Sequence, residues 1–299
     1  MASAALPEAA PRGSAQQGRD FRAWHERKIA AYPKRADDLI VEVRDPRRLT
    51  AAEKAAILER VGRANMAVYA SGCGDDPDKE IARALARQFG LRRLDPNWLA
   101  DDDGVSSIRV REGAQRGDFI PYTSKPIRWH TDGYYHPPGQ RIRAFILHCV
   151  REAAEGGETQ LLDHELAYVL LYAANPAWAR ALMQPGAMTI PARTDGGAVE
   201  RPAQSGPVYS FDPSDGALHM RYTARSVNIQ WATDPDTAGA VQFLAQWHSE
   251  DAPFALRLKL EPGMGVICNN VLHARSAFRD DPDRPRLLYR ARYYDRIRG

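Results

Sequence analysis

From about residue 105 onward the chain consists of short β-type runs separated by turn-rich segments, and this alternation limits its fold more than any other feature. The runs are SSIRV (106–110), AFILHCV (144–150), TQLLD (159–163), VYSF (208–211), ALRLKL (255–260), MGVIC (264–268) and RLLYRARYY (286–294). Many short strands with turn signals between them are typical of a sandwich or barrel. We therefore predict a mainly β fold, a β-sandwich or jelly-roll barrel with helices packed outside it.

Helical patterns fill much of the N-terminal third and interrupt the β series twice. A capping box formed by Thr50 and Glu53 precedes an apolar pattern of about four helical turns, and MAVYAS (66–71) then has the pattern of a strand. Further helices are predicted from Asp76-Pro77 to Gly90, from Asp163, and from the N-cap Asp234 with Pro235 after it.

The chain has 299 residues, and all-β folds of roughly 200–250 residues often form one domain. Residues 1–20 are rich in Ala, Pro, Gly, Ser and Gln without apolar periodicity, which predicts a disordered tail. Residues 21–299 are predicted to form a single domain, with a helical part over about 21–104 and the β core over about 105–299.

The composition is that of a globular protein, with 44% hydrophobic and 26% charged residues. A net charge of +3, spread along the chain, gives no case for a nucleic-acid partner. Cys73, Cys149 and Cys268 form no C-x-x-C pair and are predicted to be reduced thiols. The sequence has no apolar run long enough for a membrane span and no secretory signal pattern. We therefore expect no membrane partner and a cytoplasmic location. The oligomeric state stays open, a homo-oligomer included.

RWHTDG (128–133) carries the clearest chemical signal. In a strand, His130 and Asp132 point to the same face because residues two apart share one side. A neutral nitrogen beside a carboxylate oxygen suits iron(II), and His273, which directly follows a predicted strand, supplies a second imidazole. Together the three form a facial triad that leaves the opposite coordination positions open. The competing interpretation is a strand-end histidine that only hydrogen-bonds Asp132.

Four motifs occur in an order and at a spacing that resemble the taurine dioxygenase family, whose relatives include γ-butyrobetaine hydroxylase and clavaminate synthase. They are WHTDGYY (129–135), GGET (156–159), HARSAF (273–278) and RPRLLYRARYY (284–294). The resemblance covers about 120–295. It implies a double-stranded β-helix (jelly-roll, cupin-like) core, and iron(II) bound by His130, Asp132 and His273.

The resemblance also implies a 2-oxoglutarate site in which Thr159 and Arg286 hold the distal carboxylate, and in which Arg290 contacts either this co-substrate or an anionic substrate. The chemistry of arginine supports the assignment of Arg286 independently, because the planar N–H donors of a guanidinium match the two oxygens of a carboxylate. Arg286 and Arg290 share a face if their segment is a strand. The alternatives are a solvated edge strand for the arginines and an ordinary strand threonine for Thr159.

Candidate substrate contacts flank these motifs: Tyr122, Tyr134, Tyr135, Arg193 and Asn270. For the tyrosines, aromatic packing is the competing interpretation. The segment 189–204 has the Gly and Pro content of a long loop and is predicted to cover the substrate as a lid. The arginines favour a small polar or anionic metabolite as substrate.

The reaction implied by the resemblance uses dioxygen and 2-oxoglutarate, hydroxylates a C–H bond of the metabolite, and releases succinate and carbon dioxide. Three alternatives stay open at this point. A zinc hydrolase with the same three ligands would not need Arg286. A non-catalytic cupin-like binding or sensing module would bind metal without substrate-dependent succinate release. An oxygenase acting on a macromolecule is the third.

Overall fold

The computed structural model describes residues 15–96, 100–111, 119–195, 198–225, 227, 229–249 and 252–298. The α-helices in this part of the chain are α1 (Ala15–Ala31), α2 (Ala51–Ala64), α3 (Glu80–Gln88), α4 (His164–Ala174), α5 (Pro176–Leu182) and α6 (Pro235–Ala245). Short 3₁₀ helices occur at Ala36–Leu39, Ile120–Tyr122, Pro138–Gln140 and Gln246–His248.

The strands come from all parts of the described chain but are densest after residue 105. They are β1 (Ile40–Glu42), β2 (Met66–Ala70), β3 (Ser106–Ile108), β4 (Ile127–His130), β5 (Ala144–Arg151), β6 (Glu155–Gly156), β7 (Thr159–Leu162), β8 (Met188–Ile190), β9 (Arg193–Asp195), β10 (Ala198–Arg201), β11 (Gln204–Gly206), β12 (Tyr209–Phe211), β13 (Leu218–Met220), β14 (Gln230–Trp231), β15 (Leu256–Leu258), β16 (Gly265–Cys268), β17 (Leu272–Arg275), β18 (Phe278–Arg279) and β19 (Leu287–Tyr293).

Two sheets dominate the architecture. One has six strands in the order β1-β2-β16-β5-β19-β3, all antiparallel except the β1–β2 pair. The other has four antiparallel strands in the order β15-β7-β17-β4. Smaller sheets are formed by β11-β8-β14 and by the pairs β10-β9, β12-β13 and β18-β6. The prediction of a mainly β protein with peripheral helices is confirmed.

The six-stranded sheet separates two apolar cores, because successive residues of a strand point to opposite faces. From β5, Phe145 and Cys149 enter the core shared with Leu272 of the four-stranded sheet. Ile146 of the same strand enters a second core, which includes Leu85 of α3 and residues of α2. The four-stranded sheet therefore faces the inner side of the larger sheet, and the cavity described below lies between them.

Each predicted strand run contains a strand, and the helices predicted at Thr50, Asp163 and Asp234 are confirmed with those residues as N-caps. The helix predicted from Asp76-Pro77 begins only at Glu80. The Asp78 carboxylate accepts the Glu80 N–H at 2.8 Å, so a local side-chain turn replaces the first helical turn.

The N-terminal helix α1 corrects the predicted tail, since 15–20 are helical; residues 1–14 lie outside the described residues. The helix is fixed by Lys28, whose Nζ lies 2.5 Å from Asp163 Oδ2 and 2.9 Å from Glu165 Oε2. Burial opposes ionisation of Glu165, but the Lys28 ammonium outweighs it and lowers the pKa of Glu165 to about 2. A buried ion network thus joins α1 to the start of α4.

The segment 189–204, predicted as a long loop, instead contributes to strands β8, β9, β10 and β11. Its pairing is largely polar: the Thr189 hydroxyl donates to Ser205 Oγ at 2.9 Å across β8 and β11. Such a hairpin lacks the apolar alternation that reveals a strand in a sequence. No helix among the residues that the structure describes is long and apolar enough to span a bilayer.

Candidate metal centre

The two histidines of the predicted triad lie directly opposite each other on neighbouring strands. His130 ends β4, His273 lies in β17, and the antiparallel register pairs the two residues. Their ring centroids are 4.1 Å apart. Asp132 completes the group, because one ligand atom from each of the three residues lies within 4.8 Å of the others. The structure thus brings together three side chains that are far apart in the sequence.

Asp132 lies beyond the end of β4, so the strand is shorter than the same-face argument assumed. The backbone beside it is nevertheless held, because Asn270 Oδ1 accepts the Asp132 N–H at 2.8 Å and Asn270 Nδ2 donates to the Asp132 carbonyl at 3.0 Å. Gly133 follows with φ +69°, and a Cβ atom there would lie 2.5 Å from Ile142 Cγ1. The turn after Asp132 therefore requires glycine.

The hydrogen bonds of the two imidazoles leave the same nitrogen available on each ring. Nδ1 of His130 lies 2.9 Å from the Arg128 carbonyl, and Nδ1 of His273 lies 3.0 Å from the Val271 carbonyl. A carbonyl only accepts, so each Nδ1 carries the proton and each Nε2 keeps its lone pair. Burial and the neighbouring His273 lower the pKa of His130 to about 3, and burial also lowers the pKa of His273. Both rings are therefore neutral at pH 7, the form that binds a metal.

The carboxylate of Asp132 is buried and ionised. Arg290 Nη1 donates to its Oδ1 at 3.1 Å, and Arg292 Nη1 lies 3.9 Å from the same atom. Burial alone would oppose ionisation, but these two guanidinium groups outweigh it and lower the pKa of Asp132. Its Oδ2 is buried without a hydrogen-bond partner among the described residues. One unpaired carboxylate oxygen beside two imidazole nitrogens fits a divalent iron ion.

A cavity between the two sheets opens from this centre. His130 and His273 line it together with the polar side chains Thr159, Arg275, Arg286 and Arg290 and the apolar side chains Ile108, Ile127, Phe145, Leu147 and Leu288. The cavity is also lined by every second residue from the position before β19: Arg286, Leu288 and Arg290. Strand periodicity predicts that these three residues share a face.

Arg286 is the most informative residue of this cavity. Only 4% of its surface is exposed, and its Nη1 has no hydrogen-bond partner among the described residues. Burial lowers its pKa to about 10, so the protein does not compensate its charge fully. A carboxylate ligand would satisfy the free donor, and the buried Thr159 lines the same cavity. Both residues therefore fit the distal carboxylate of 2-oxoglutarate.

Arg275 was not assigned a role from the sequence, although it is two residues after His273 in the same strand. Its Nη2 donates to the carbonyls of Thr123 at 2.7 Å and Lys125 at 2.5 Å. The guanidinium groups of Arg275 and Arg286 lie 4.7 and 5.0 Å from the Phe278 ring centroid. Burial, together with Arg286, lowers the pKa of Arg275 to about 9. Strand periodicity could have identified it, because residues two apart in a strand share a face and Arg275 is two positions after His273.

A second buried network, also absent from the sequence predictions, lies behind Asp132. Asp95 accepts a hydrogen bond from the Tyr294 hydroxyl at 2.7 Å and pairs with Arg292 Nη2. Arg292 Nη1 donates in turn to the Tyr135 hydroxyl at 3.2 Å. Asp95 and Arg292 are each only 4% exposed. Asp95 thus holds the guanidinium that lies next to the metal-facing carboxylate.

We expect Asp95→Asn to weaken divalent-metal binding by about 10-fold, in the range found when an outer-shell partner of a metal ligand is lost. Without the Asp95 charge, Arg292 has Asp132 as its nearest anionic partner and competes with the metal for it. Anaerobic titration with iron(II) or manganese(II) measures the effect. Tyr294→Phe removes one hydrogen bond but keeps the Asp95 charge, and should change the affinity less. An unchanged affinity in Asp95→Asn would contradict this role.

Of the predicted substrate contacts, two are near the metal centre. The edge of the Tyr134 ring packs on His130, with 6.4 Å between the ring centroids, and Tyr135 packs on Tyr134 at 5.2 Å. Arg193 is exposed, and its guanidinium carbon lies 4.5 Å from the Phe119 ring centroid. The two tyrosines therefore remain candidates for the wall of a substrate site.

Tyr122 and Asn270, also predicted as substrate contacts, both make contacts inside the fold. Tyr122 ends a short 3₁₀ helix that turns its ring into the core, where it is fully buried. The Asn270 amide is used by the backbone of Asp132 and by the Ile142 carbonyl at 2.7 Å. Asn270 therefore positions the loop that carries Asp132.

The facing sheets, the two-histidine, one-carboxylate group and the arginine-lined cavity define the class of non-haem iron oxygenases. Comparison with known proteins identifies the family within that class. Residues 32–292 match the family described as "Taurine catabolism dioxygenase TauD, TfdA family". The chain belongs to this family of iron(II)- and 2-oxoglutarate-dependent oxygenases, which confirms the resemblance drawn from its motifs.

Individual relatives agree with this assignment. A uridine-5'-phosphate dioxygenase from Amycolatopsis is 32% identical over 177 residues, which span 57% of this chain but only 62% of that relative. A Streptomyces protein of the same name is 30% identical over 225 residues, covering 71% of this chain and 78% of the relative. A taurine dioxygenase structure from Burkholderia xenovorans has a TM-score of 0.57 at 22% identity, covers 88% of this chain and 89% of that chain, and shares the fold.

Proposed function

We propose that this chain hydroxylates a C–H bond of a small anionic metabolite, with His130, Asp132 and His273 as its iron ligands. The proposal rests on Oδ2 of Asp132, which is buried and has no hydrogen-bond partner among the described residues. It lies beside two imidazoles whose Nδ1 atoms are already hydrogen-bonded. Uridine-5'-phosphate is the first candidate substrate, because it is the compound named for two relatives. We further propose that 21–299 form one domain with a jelly-roll core.

The side chains of this chain have separate tasks in the proposed reaction. Arg286 and Thr159, which line the cavity, would hold the distal carboxylate of 2-oxoglutarate. Arg290 keeps Asp132 ionised and oriented through the 3.1 Å contact to Oδ1. Apolar residues such as Phe145 and Leu147 exclude water from the reacting end. When bound, iron(II) supplies a redox centre at which dioxygen and 2-oxoglutarate react to give succinate and carbon dioxide.

Substrate-dependent succinate formation tests the proposal. The protein is incubated with iron(II), ascorbate, 2-oxoglutarate and either uridine-5'-phosphate or a panel of other anionic metabolites, and mass spectrometry follows oxygen incorporation from ¹⁸O₂. We expect at least one compound to stimulate succinate release and to gain ¹⁸O. Absence of stimulation by every compound would favour a sensing module, whereas turnover with zinc and without dioxygen would favour a hydrolase.

A further inference from the structure

Three arginines surround the Tyr134–Tyr135 pair at the metal centre. Arg225 Nη1 donates to the Tyr134 hydroxyl at 3.2 Å, Arg221 Nε donates to the Tyr134 carbonyl at 2.8 Å, and the Arg201 guanidinium lies 6.0 Å from the Tyr135 ring centroid. In the described part of the chain, no carboxylate lies within ion-pair distance of any of the three. Among the described residues, no carboxylate therefore neutralises their positive charge.

Arg221 has a structural task. Its guanidinium donates to the carbonyls of Met188 at 3.0 Å, Gly206 at 3.2 Å and Gln204 at 2.7 Å, in addition to that of Tyr134. These bonds fasten Tyr134 to β8 and β11 and use most of its five N–H donors. Burial, together with Arg201, lowers the pKa of Arg221 to about 10, so its charge would favour a nearby anion.

Arg201 and Arg225 retain donors that the described residues do not use. Arg201 donates to the carbonyls of Pro191 at 2.7 Å and Pro202 at 3.3 Å. Arg225 is exposed, and its guanidinium has one hydrogen bond within the described part of the chain, to Tyr134. Each guanidinium offers five N–H groups, and carbonyl contacts leave its charge uncompensated. One guanidinium at the Tyr134 hydroxyl and a second over the ring of the neighbouring Tyr135 together offer unused donors to an oxyanion.

The position of these groups connects them to the metal centre. Thr223 forms a β-bridge with His130, and the Ala224 N–H donates to the Trp129 carbonyl at 2.8 Å, so the segment leading to Arg225 runs beside β4. The Tyr134 ring makes an edge contact with His130. Its hydroxyl accepts the hydrogen bond from Arg225. An anion held there lies about one tyrosine length from the metal ligands.

We propose that Arg201, Arg225 and the Tyr134 hydroxyl form a subsite for the phosphate monoester of the substrate, an inference that rests on the proposed function. A phosphate monoester carries about −1.5 to −2 charge at pH 7 and three acceptor oxygens, which matches two guanidinium forks and one hydroxyl. A carboxylate or sulfonate carries one charge and leaves more of the arginine charge unneutralised. The subsite anchors one end of the substrate while its remainder reaches the metal centre.

Isothermal titration of the anaerobic protein, loaded with iron(II) and 2-oxoglutarate, tests the subsite. The probes are uridine-5'-phosphate, uridine, inorganic phosphate and taurine. We expect wild type to bind uridine-5'-phosphate about 100-fold more tightly than uridine, because each charge-assisted fork contributes about 10-fold. Arg201→Gln and Arg225→Gln should each lower this preference by about 10-fold, and inorganic phosphate should compete with uridine-5'-phosphate.

Two controls make the result specific. Arg35→Gln replaces an exposed arginine whose ion-pair partner is Asp37, and should leave the preference unchanged. Arg225→Lys keeps the charge without the planar fork and should restore part of the preference. Equal binding of uridine and uridine-5'-phosphate by wild type, tighter binding of taurine than of inorganic phosphate, or an unchanged preference in both glutamine variants would each overturn the subsite. Failure of the proposed function is distinct: the phosphate preference persists, but no panel compound stimulates succinate release.

Discussion

Replacing His273 with alanine is expected to reduce substrate-dependent succinate formation by more than about 100-fold, beyond the 10–100-fold that loss of an outer-shell partner causes. The substitution removes one of two neutral imidazoles and leaves His130 and Asp132 as the remaining ligand atoms of the group. Two ligands cannot hold iron(II) in the facial geometry that leaves adjacent positions open. Iron content after anaerobic loading and succinate yield measure the two consequences.

A control variant at a second histidine shows whether the effect of His273→Ala comes from the loss of a metal ligand. His136 follows the metal motif closely, but its Nδ1 is bonded to the Gln140 carbonyl at 3.0 Å and it is not part of the three-residue group. His136→Ala should therefore retain iron and turnover. Because the His273 ring packs 4.6 Å from that of Phe145, thermal unfolding must show that His273→Ala remains folded. Full iron loading of a folded His273→Ala protein would disprove the assignment.

The grouping of His130, Asp132 and His273 could be predicted because each residue obeys a local rule. His130 lies at the end of a strand, His273 lies in another, and a pair of such residues becomes a site once the strands are neighbours. The sequence does not give that neighbourhood; the family resemblance supplied it. Arg286 and Arg290 were predictable for the same reason, since alternation along a strand places both on one face.

The networks around the metal group were not predictable in this way. Asp95 meets Arg292 across nearly two hundred positions of sequence, and no motif links them. Arg201 and Arg225 converge on Tyr134 and Tyr135 from separate segments. Such contacts depend on where the loops lie relative to the sheets. Loop residues have no sequence periodicity from which that position could be predicted.

The contacts that Tyr122 and Asn270 make inside the fold have a conformational cause. Tyr122 was selected because it flanks the motif, but the 3₁₀ helix determines where its ring points. Asn270 adopts φ 52°, a left-handed conformation that asparagine tolerates better than most residues, and this turns its amide toward the backbone of Asp132. Proximity in sequence suggested both residues, while the backbone angles determine what they contact.

Arg286→Ala is expected to raise the KM for 2-oxoglutarate by about 100-fold or more, because a buried guanidinium that pairs with a carboxylate through two charge-assisted bonds contributes about 1.5–3 kcal/mol per bond. Iron affinity should change little, since Arg286 is not within contact distance of a ligand atom of the metal group. Arg286→Lys keeps a charge without the planar fork and should give an intermediate KM. Initial rates at varied 2-oxoglutarate concentration, with iron saturating, provide the measurement.

The unfolding temperature provides an independent test of the role of Arg286 in binding 2-oxoglutarate. Arg286 Nη1 is buried and unpartnered among the described residues, so in the free protein its charge contributes little or opposes folding. We therefore expect 2-oxoglutarate to raise the unfolding temperature of the wild type, through binding to the native state, but not that of Arg286→Ala. Arg279→Ala, which removes an exposed arginine paired with Glu155, should retain the ligand-induced shift. An Arg286→Ala protein with an unaltered KM for 2-oxoglutarate and an unaltered ligand-induced shift would exclude a 2-oxoglutarate site at Arg286.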